Sequence, residues 1–236
     1  MNVIIIGASS GIGKALAELY LLDGHHIGIT GRRNNLLNDI AHRWPGKCFI
    51  EVFDVTGGEN IVHLQNLIDT MGGMDLIIYC SGFGTPSDHL DAETEISTTL
   101  TNVNGFVEIA SFAFNWFVRQ KHGQIVVISS VAGQRGGHHT PAYNAGKAFV
   151  SNYAEGLNLK AGKLKLDITV TDIRPGFVNT KMAKGNKRFW VAEVGKAAYQ
   201  IKRAITQKKR VAYITKRWRY VAWLFKRLPY SWYKRL

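Results

Sequence analysis

The chain of 236 residues predicts a single α/β domain of the Rossmann type, a doubly wound parallel β-sheet with helices on both faces. Three observations carry this prediction. Apolar runs of strand length alternate with helical patterns along most of the sequence, as βαβ units do. The first run, residues 2 to 6, leads at once into Gly7-Ala8-Ser9-Ser10-Gly11-Ile12-Gly13 and then a helical pattern. The length suits one domain with a sizeable core and is too short for two ordinary domains and a linker.

A continuous run such as NVIII reads as a strand buried on both faces. The glycines after it have separate uses: a tight turn, close backbone approach to a phosphate, and close packing of helix on strand. The amino terminus of the following helix adds N–H groups and a partial positive charge that suit a pyrophosphate. Residues Gly7, Ser9, Ser10, Gly11, Ile12 and Gly13 therefore read as a dinucleotide site rather than a plain turn. The second strand, His26 to Thr30, ends in Gly31-Arg32-Arg33. An acid there would bind the adenosine ribose 2′-OH, whereas cations accommodate a 2′-phosphate. The first acid that follows is Asp39, inside the next helix. This favours NADP(H), with Arg32 and Arg33 on the phosphate; the alternative is a pair of arginines solvated at a helix start.

The alternation continues with a helix from Asn35 to Trp44 that stops at Pro45, and the strand CFIEVFDVT reaching Asp54. A helix from Glu59 to Met71 leads to the strand MDLIIYC and the turn Ser81-Gly82-Phe83-Gly84. A long helical region from Ala92 to His122 carries Asn102-Val103-Asn104-Gly105 in its interior, and Gly123 closes it. The strand IVVIS, a helix from Thr140 and the strand LDITVTDI bring the chain to Arg174-Pro175-Gly176. A helix from Val191 to Thr206 and a last strand, RVAYIT, complete a body of residues 1–215. Residues 216–236 form a separate basic, aromatic tail.

Proton-transfer chemistry is concentrated between residues 126 and 150. On a helix Tyr143 and Lys147 lie one turn apart on the same face. A free phenol has a pKa of about 10, and a nearby cation lowers it, which makes Tyr143 a candidate general acid/base. Ser130 follows a strand, at the carboxyl end where ligands bind in open parallel sheets. The alternative for the Tyr143 and Lys147 pair is a solvated contact with no role in chemistry.

With these residues in place the chain resembles the short-chain dehydrogenase/reductase family over residues 1 to about 180, and loosely to about 214. The resemblance rests on GASSGIG near the start, Asp54, NVNG, Ser130, Tyr143 with Lys147 four later, and RPGFVNT. It implies that Tyr143 exchanges the proton with the substrate oxygen, that Ser130 hydrogen-bonds that oxygen, and that Lys147 lowers the Tyr143 pKa and binds the nicotinamide ribose. It implies that Asn102 holds a water in the proton relay, with Asn104 the lesser counterpart. Asp54 and the backbone of Val55 would contact the adenine, and Gly82, Tyr143 and Lys147 would also contact the cofactor. Pro175, Gly176, Val178 and Thr180 would hold the carboxamide and phosphate side of the cofactor. Two positions depart from the family: Ile6 stands where Thr is usual, and Tyr79-Cys80-Ser81-Gly82 replaces Asn-Asn-Ala-Gly. The second loses side-chain amides that tie the sheet together. A dimer or tetramer is a further implication.

Substrate contacts are expected from the loop 133–142, the turn 83–90 and the segment after Thr180. Arg135, His138 and His139 could meet an anionic or polyhydroxylated substrate. The two histidines lack the further ligands a metal needs, so no metal site is expected. Residues 181 to 190 are short and basic, which predicts an open pocket without a large apolar lid.

The net charge of +13 is uneven. Residues 1–180 hold 13 Lys and Arg against 16 acids; residues 181–236 hold 17 against one, Glu193. In the tail Trp218, Val221, Phe225 and Leu228 share one helical face, while Tyr220 and Trp223 lie off it. This pattern suits either an interfacial helix on anionic lipid or a tail packed on its own domain or on a second subunit. Nucleic acid is not an expected partner, since no recognition motif accompanies the basic residues. No run is long enough to span a membrane, and the strand pattern begins too early for a secretion signal. Cys48 and Cys80 are expected as buried thiols in a reducing cytoplasm, with the tail on the inner face of the membrane. The expected function is carbonyl and secondary alcohol interconversion with NADP(H) on a small-molecule substrate; the alternative is an NADP(H)-binding regulatory protein without turnover.

Overall fold

The structure, a computed structural model, describes residues 1–86, 89–180 and 189–235. Its strands are β1 (Asn2–Ile6), β2 (His26–Gly31), β3 (Cys48–Val52), β4 (Leu76–Tyr79), β5 (His122–Ile128), β6 (Asp167–Pro175) and β7 (Val211–Ile214). The helices between them are α1 (Gly11–Leu22), α2 (Asn34–Ala41), α3 (Asn60–Met71), α4 (Ala92–Thr99), α5 (Gly105–Gln120), α6 (Pro141–Leu164) and α7 (Val194–Thr206). Two more, α8 (Trp218–Arg227) and α9 (Tyr230–Tyr233), follow β7.

The strands form one 7-stranded sheet in the order β3-β2-β1-β4-β5-β6-β7, and every pairing is parallel. This is the predicted doubly wound sheet. The chain winds outward from β1 to β3, then crosses to the other side of β1 at β4, leaving a crevice at the carboxyl ends of these two strands. Alternate residues of β1 feed opposite faces. Val3 and Ile5 pack with Leu16, Leu37 and Ile201 from α1, α2 and α7. Ile4 and Ile6 pack with Leu64, Phe106 and Phe117 from α3 and α5. Each such side chain, fully buried, contributes about 1.5–3 kcal/mol.

Several boundaries differ from the sequence reading. α2 ends at Ala41, and the turn to Pro45 closes with Trp44 N–H donating to the Ala41 carbonyl at 2.8 Å. The long helix breaks into α4, a π-helical turn at Leu100–Asn104, and α5. Lys121, in the left-handed region at φ 69°, closes α5 in place of Gly123. Gly123 instead lies within β5, where a Cβ would stand 2.1 Å from the Phe117 ring. Asp54 lies just beyond β3 rather than inside it. α7 begins at Val194 because Ala192 is engaged in a bridge with Val178.

The tail divides at Pro229 into α8 and α9. Its predicted stripe faces the body: Trp218 is buried, and Val221, Phe225 and Leu228 are half-buried. Tyr220 and Trp223 are exposed. Arg135 anchors this packing, its Nη1 donating to the Phe225 and Leu228 carbonyls at 2.9 and 2.8 Å. Tyr233 adds a hydrogen bond to the Gly136 carbonyl at 2.7 Å.

Candidate active site

The glycine-rich loop is shaped by close contacts. Gly7 has φ +85°, and a Cβ there would stand 2.7 Å from Ser81 Oγ, so the loop after β1 and the turn after β4 touch across the crevice. A Cβ on Gly13 would lie 2.3 Å from the Gly7 carbonyl oxygen, which fixes how closely α1 approaches the turn. Ser10 precedes α1 without capping it through its side chain, so the N–H groups of Gly11, Ile12 and Gly13 open the helix towards the crevice. A Cβ on Gly11 would reach the Thr180 methyl at 3.4 Å, which places Thr180 at the same helix end. The cradle therefore fits a phosphate-bearing ligand.

Arg33 reaches back from β2 over this loop. Its Nη2 donates to Ser9 Oγ at 2.6 Å and Ser10 Oγ at 2.8 Å. Arg32 instead donates to Asp54 Oδ2 at 3.2 Å and is largely exposed. Burial pushes the Asp54 carboxyl up, but hydrogen bonds from Thr56 and the Arg32 charge outweigh it and hold the group below its usual range. Val55 is buried against the start of α5, where a Cβ on Gly105 would stand 2.6 Å from its carbonyl oxygen.

Ser130, Tyr143, Lys147, Asn102 and Gly82 come together at the carboxyl ends of β4 and β5. Ser130 is buried; its Oγ accepts from Ala132 N–H at 3.1 Å and donates to the Pro175 carbonyl at 3.4 Å. Its side chain also hydrogen-bonds Tyr143. Pro141 starts α6, and Glu95 accepts from Ala142 N–H at 2.8 Å, which sets Tyr143 in the first turn and Lys147 in the next. Lys147 Nζ lies 5.7 Å from the Tyr143 ring centroid and donates to the Ile128 carbonyl at 2.8 Å. A Cβ on Gly82 would stand 2.7 Å from Asn102 Oδ1 and 3.0 Å from Lys147 Nζ, so only glycine fits beside both groups. The π-helical turn aims Asn102 inward. Its Oδ1 accepts from Phe83 N–H at 3.0 Å and its Nδ2 donates to the Phe83 carbonyl at 2.7 Å.

The electrostatics correct one expectation. Tyr143 is not brought down by Lys147: burial raises the phenol pKa, and the Ser130 hydrogen bond opposes that only in part. The Lys147 ammonium is itself lowered to about 8 by burial, against the opposing pull of Cys80 and Asp172. With its Nζ turned to the Ile128 carbonyl, the lysine is a weak partner for the phenol in this state.

Arg135 is likewise not a substrate group, because its guanidinium is spent on α8 and on the Tyr233 ring, 4.5 Å from the centroid. His138 and His139 lie against each other with tilted rings, centroids 3.8 Å apart. Residues 87, 88 and 181–188 of the predicted substrate loops lie outside the described residues. The described end of the second loop is apolar: Phe189 and Trp190 pack on Trp218, with centroids 5.0 and 6.1 Å away. Trp218 in turn lies against Gly176, where a Cβ would stand 2.0 Å from the indole. Cys48 and Cys80 are free thiols. Among the described residues no group of His, Cys, Asp or Glu could hold a metal, and no helix is long and apolar enough to cross a membrane.

Three supporting groups escaped the sequence reading. Asn144 Nδ2 donates to the Ala132 and Arg135 carbonyls, both at 2.9 Å, tying α6 to the loop after Ser130. Ser129 hydrogen-bonds buried Asp172, which also accepts from Arg174 Nε at 2.6 Å, bracing the ends of β5 and β6. Tyr79, in the segment that lacks the family's amides, donates its hydroxyl to the Thr101 carbonyl at 2.8 Å and so ties β4 to the π-helical turn. An amide or hydroxyl flanking a candidate catalytic residue is the signal that could have found the first two.

Comparison with known proteins agrees with the fold. The chain is 30% identical over 185 residues to an uncharacterized oxidoreductase of Staphylococcus epidermidis, covering 77% of this chain and 80% of that one. It is 32% identical over 191 residues to an uncharacterized oxidoreductase of Myxococcus xanthus, covering 78% and 75%. A short-chain dehydrogenase from Sphingobium yanoikuyae, solved in complex with NADPH, shares the fold with a TM-score of 0.83 at 22% identity, over 97% of this chain and 96% of that one. The family model described as short chain dehydrogenase matches residues 1–189, and on that match, the sheet order and the two relatives, the chain belongs to the short-chain dehydrogenases, a family of oxidoreductases.

Proposed function

We propose that the protein interconverts a carbonyl and a secondary alcohol with NADP(H), using Tyr143 as the general acid/base. The observation that carries this reading is the convergence of Ser130, Tyr143, Lys147 and Asn102 around Gly82. Gly7 to Gly13, Gly82, Asp54, Val55 and the stretch Pro175, Gly176, Val178 and Thr180 would hold the cofactor, with Arg33 and then Arg32 on its 2′-phosphate. NADP(H), when bound, supplies or accepts the hydride. The protein's own part is position and proton. Ser130 Oγ and the Tyr143 hydroxyl, hydrogen-bonded to each other in the free protein, would each turn its one hydrogen to the same substrate oxygen; Tyr143 transfers its proton there in reduction and takes it back in oxidation. Asn102, fixed by both polar groups of Phe83, holds the backbone of the turn beside the pair. The same reading makes the protein a dimer or tetramer, cytoplasmic, and peripheral on the inner face of the membrane through residues 216–236.

The first test is a fluorescence titration with NADPH and NADH, followed by an absorbance screen for NADPH consumption against ketones, sugars and lipid-linked carbonyls. Tight NADPH binding with consumption by one class is the expected result. Binding of neither nucleotide would overturn the reading.

Lys147 makes a second prediction, on stability. Below about pH 8 both the folded and the unfolded chain hold its proton, and the folded state bears the cost of a buried ammonium. Between about 8 and the ordinary value of 10.5 only the unfolded chain keeps that proton, so stability rises with pH through this window. Relative to a Lys147→Met variant, the cofactor-free wild type should gain about 3 kcal/mol across it. Denaturant titrations of both proteins over that range check this.

A further inference from the structure

The outer face of the tail is left unused by the dehydrogenase chemistry. Trp218 points inward at 3% exposure, while Tyr220, Trp223 and Trp232 stand outward at 65, 56 and 66%. Residues 216–235 carry seven Lys and Arg and no acid. Cations and rings share this surface: Arg219 and Arg227 lie over Tyr220 and Trp223, 5.2 and 4.8 Å from the ring centroids. Rings with a polar tip and cations on apolar stems fit the headgroup layer of a bilayer, and an acid-free cationic face selects an anionic one. A second copy of the chain fits this face poorly, because a self-complementary contact would set seven cations against seven.

The inner side of the same helix borders the site. Trp218 rests on Gly176, next to Pro175, whose carbonyl accepts from Ser130. Its ring touches Phe177, Phe189 and Trp190, and Arg217 covers Trp190 at 4.9 Å. Phe189 and Trp190 are both exposed. An aromatic edge therefore runs from the turn beside Ser130 to the start of the outward-facing helix. Self-packing and membrane contact, alternatives in the sequence, are compatible here because they use opposite sides of α8.

Resting on the oxidoreductase and peripheral-membrane readings above, we propose that α8 and α9 lie in the surface of an anionic bilayer and that the substrate is a carbonyl amphiphile held in that bilayer. Its chain follows the Trp190 and Trp218 edge while its carbonyl reaches Ser130 and Tyr143.

The test uses the full chain, flotation with phosphatidylcholine vesicles with and without phosphatidylglycerol, and NADPH consumption with methyl butyl ketone in water and methyl tetradecyl ketone in the vesicles. The wild type should float with the anionic vesicles only. W223S/W232S should lose affinity by about tenfold or more, and R219Q/K226Q should do the same through charge. Both variants should reduce the short ketone at the wild-type rate and the long ketone about tenfold more slowly, in step with their lost binding. Equal flotation of wild type and variants would overturn the docking. A long-chain rate unchanged by the variants would overturn the bilayer-borne substrate. Failure of the wild type to reduce the short ketone would count against the oxidoreductase reading instead, and flotation would still decide the docking.

Discussion

Tyr143→Phe should lower kcat/KM for carbonyl reduction by about 10³-fold and leave NADPH affinity at the wild-type value. The substitution removes one oxygen and keeps the ring, which packs under Gly84 so closely that a Cβ there would stand 2.6 Å from it. A loss of activity without a loss of cofactor binding therefore isolates the proton. The pKa directions give the test a second signature. Burial keeps the Tyr143 phenol protonated well past neutrality, so it is a ready donor for reduction and a poor base for oxidation. Alcohol oxidation by the wild type should rise with pH on the alkaline side, while reduction should stay level through neutrality. Steady-state rates in both directions, with nucleotide affinity by fluorescence, check both parts. Turnover by Tyr143→Phe at the wild-type rate would remove Tyr143 from the mechanism.

The sheet was legible because its strands are uninterrupted apolar runs, and a strand buried on both faces has few other ways to be written. The site was legible where short-range spacing fixes geometry: glycines in one turn, and Tyr143 and Lys147 one helical turn apart. What stayed hidden depends on contacts far apart in sequence. The π-helical turn cannot be read from Asn102-Val103-Asn104-Gly105 alone, since its register is held by Phe83 and Tyr79. The direction of the Tyr143 shift depends on how deeply the phenol is enclosed, and periodicity carries no such information. Arg135 looked like a substrate group because its partners are the Phe225 and Leu228 carbonyls, ninety residues and more away. The tail was half legible: the stripe through Trp218 marked the inner face, and only the structure shows that Gly176 makes room for it.

Arg33→Ala should weaken NADPH binding by about 10²-fold, the loss of about 3 kcal/mol expected when charge-assisted hydrogen bonds to a phosphate are removed, and leave NADH binding nearly unchanged. The arginine already lies across Ser9 and Ser10, bonded to both hydroxyls. It needs little ordering to meet an anion at that point, and the serines add donors of their own. Arg32→Ala should have a smaller effect, because Arg32 is exposed and its charge is shared with Asp54. Removing that acid sharpens the comparison. Asp54→Asn should free Arg32 and tighten NADPH relative to NADH if Arg32 contributes to the phosphate, and should weaken both nucleotides alike if Asp54 acts only at the adenine. Fluorescence titrations of the three variants with both nucleotides separate these outcomes. An Arg33→Ala protein that kept its wild-type ratio of NADPH to NADH affinity would show that the cations after β2 do not read the 2′-phosphate.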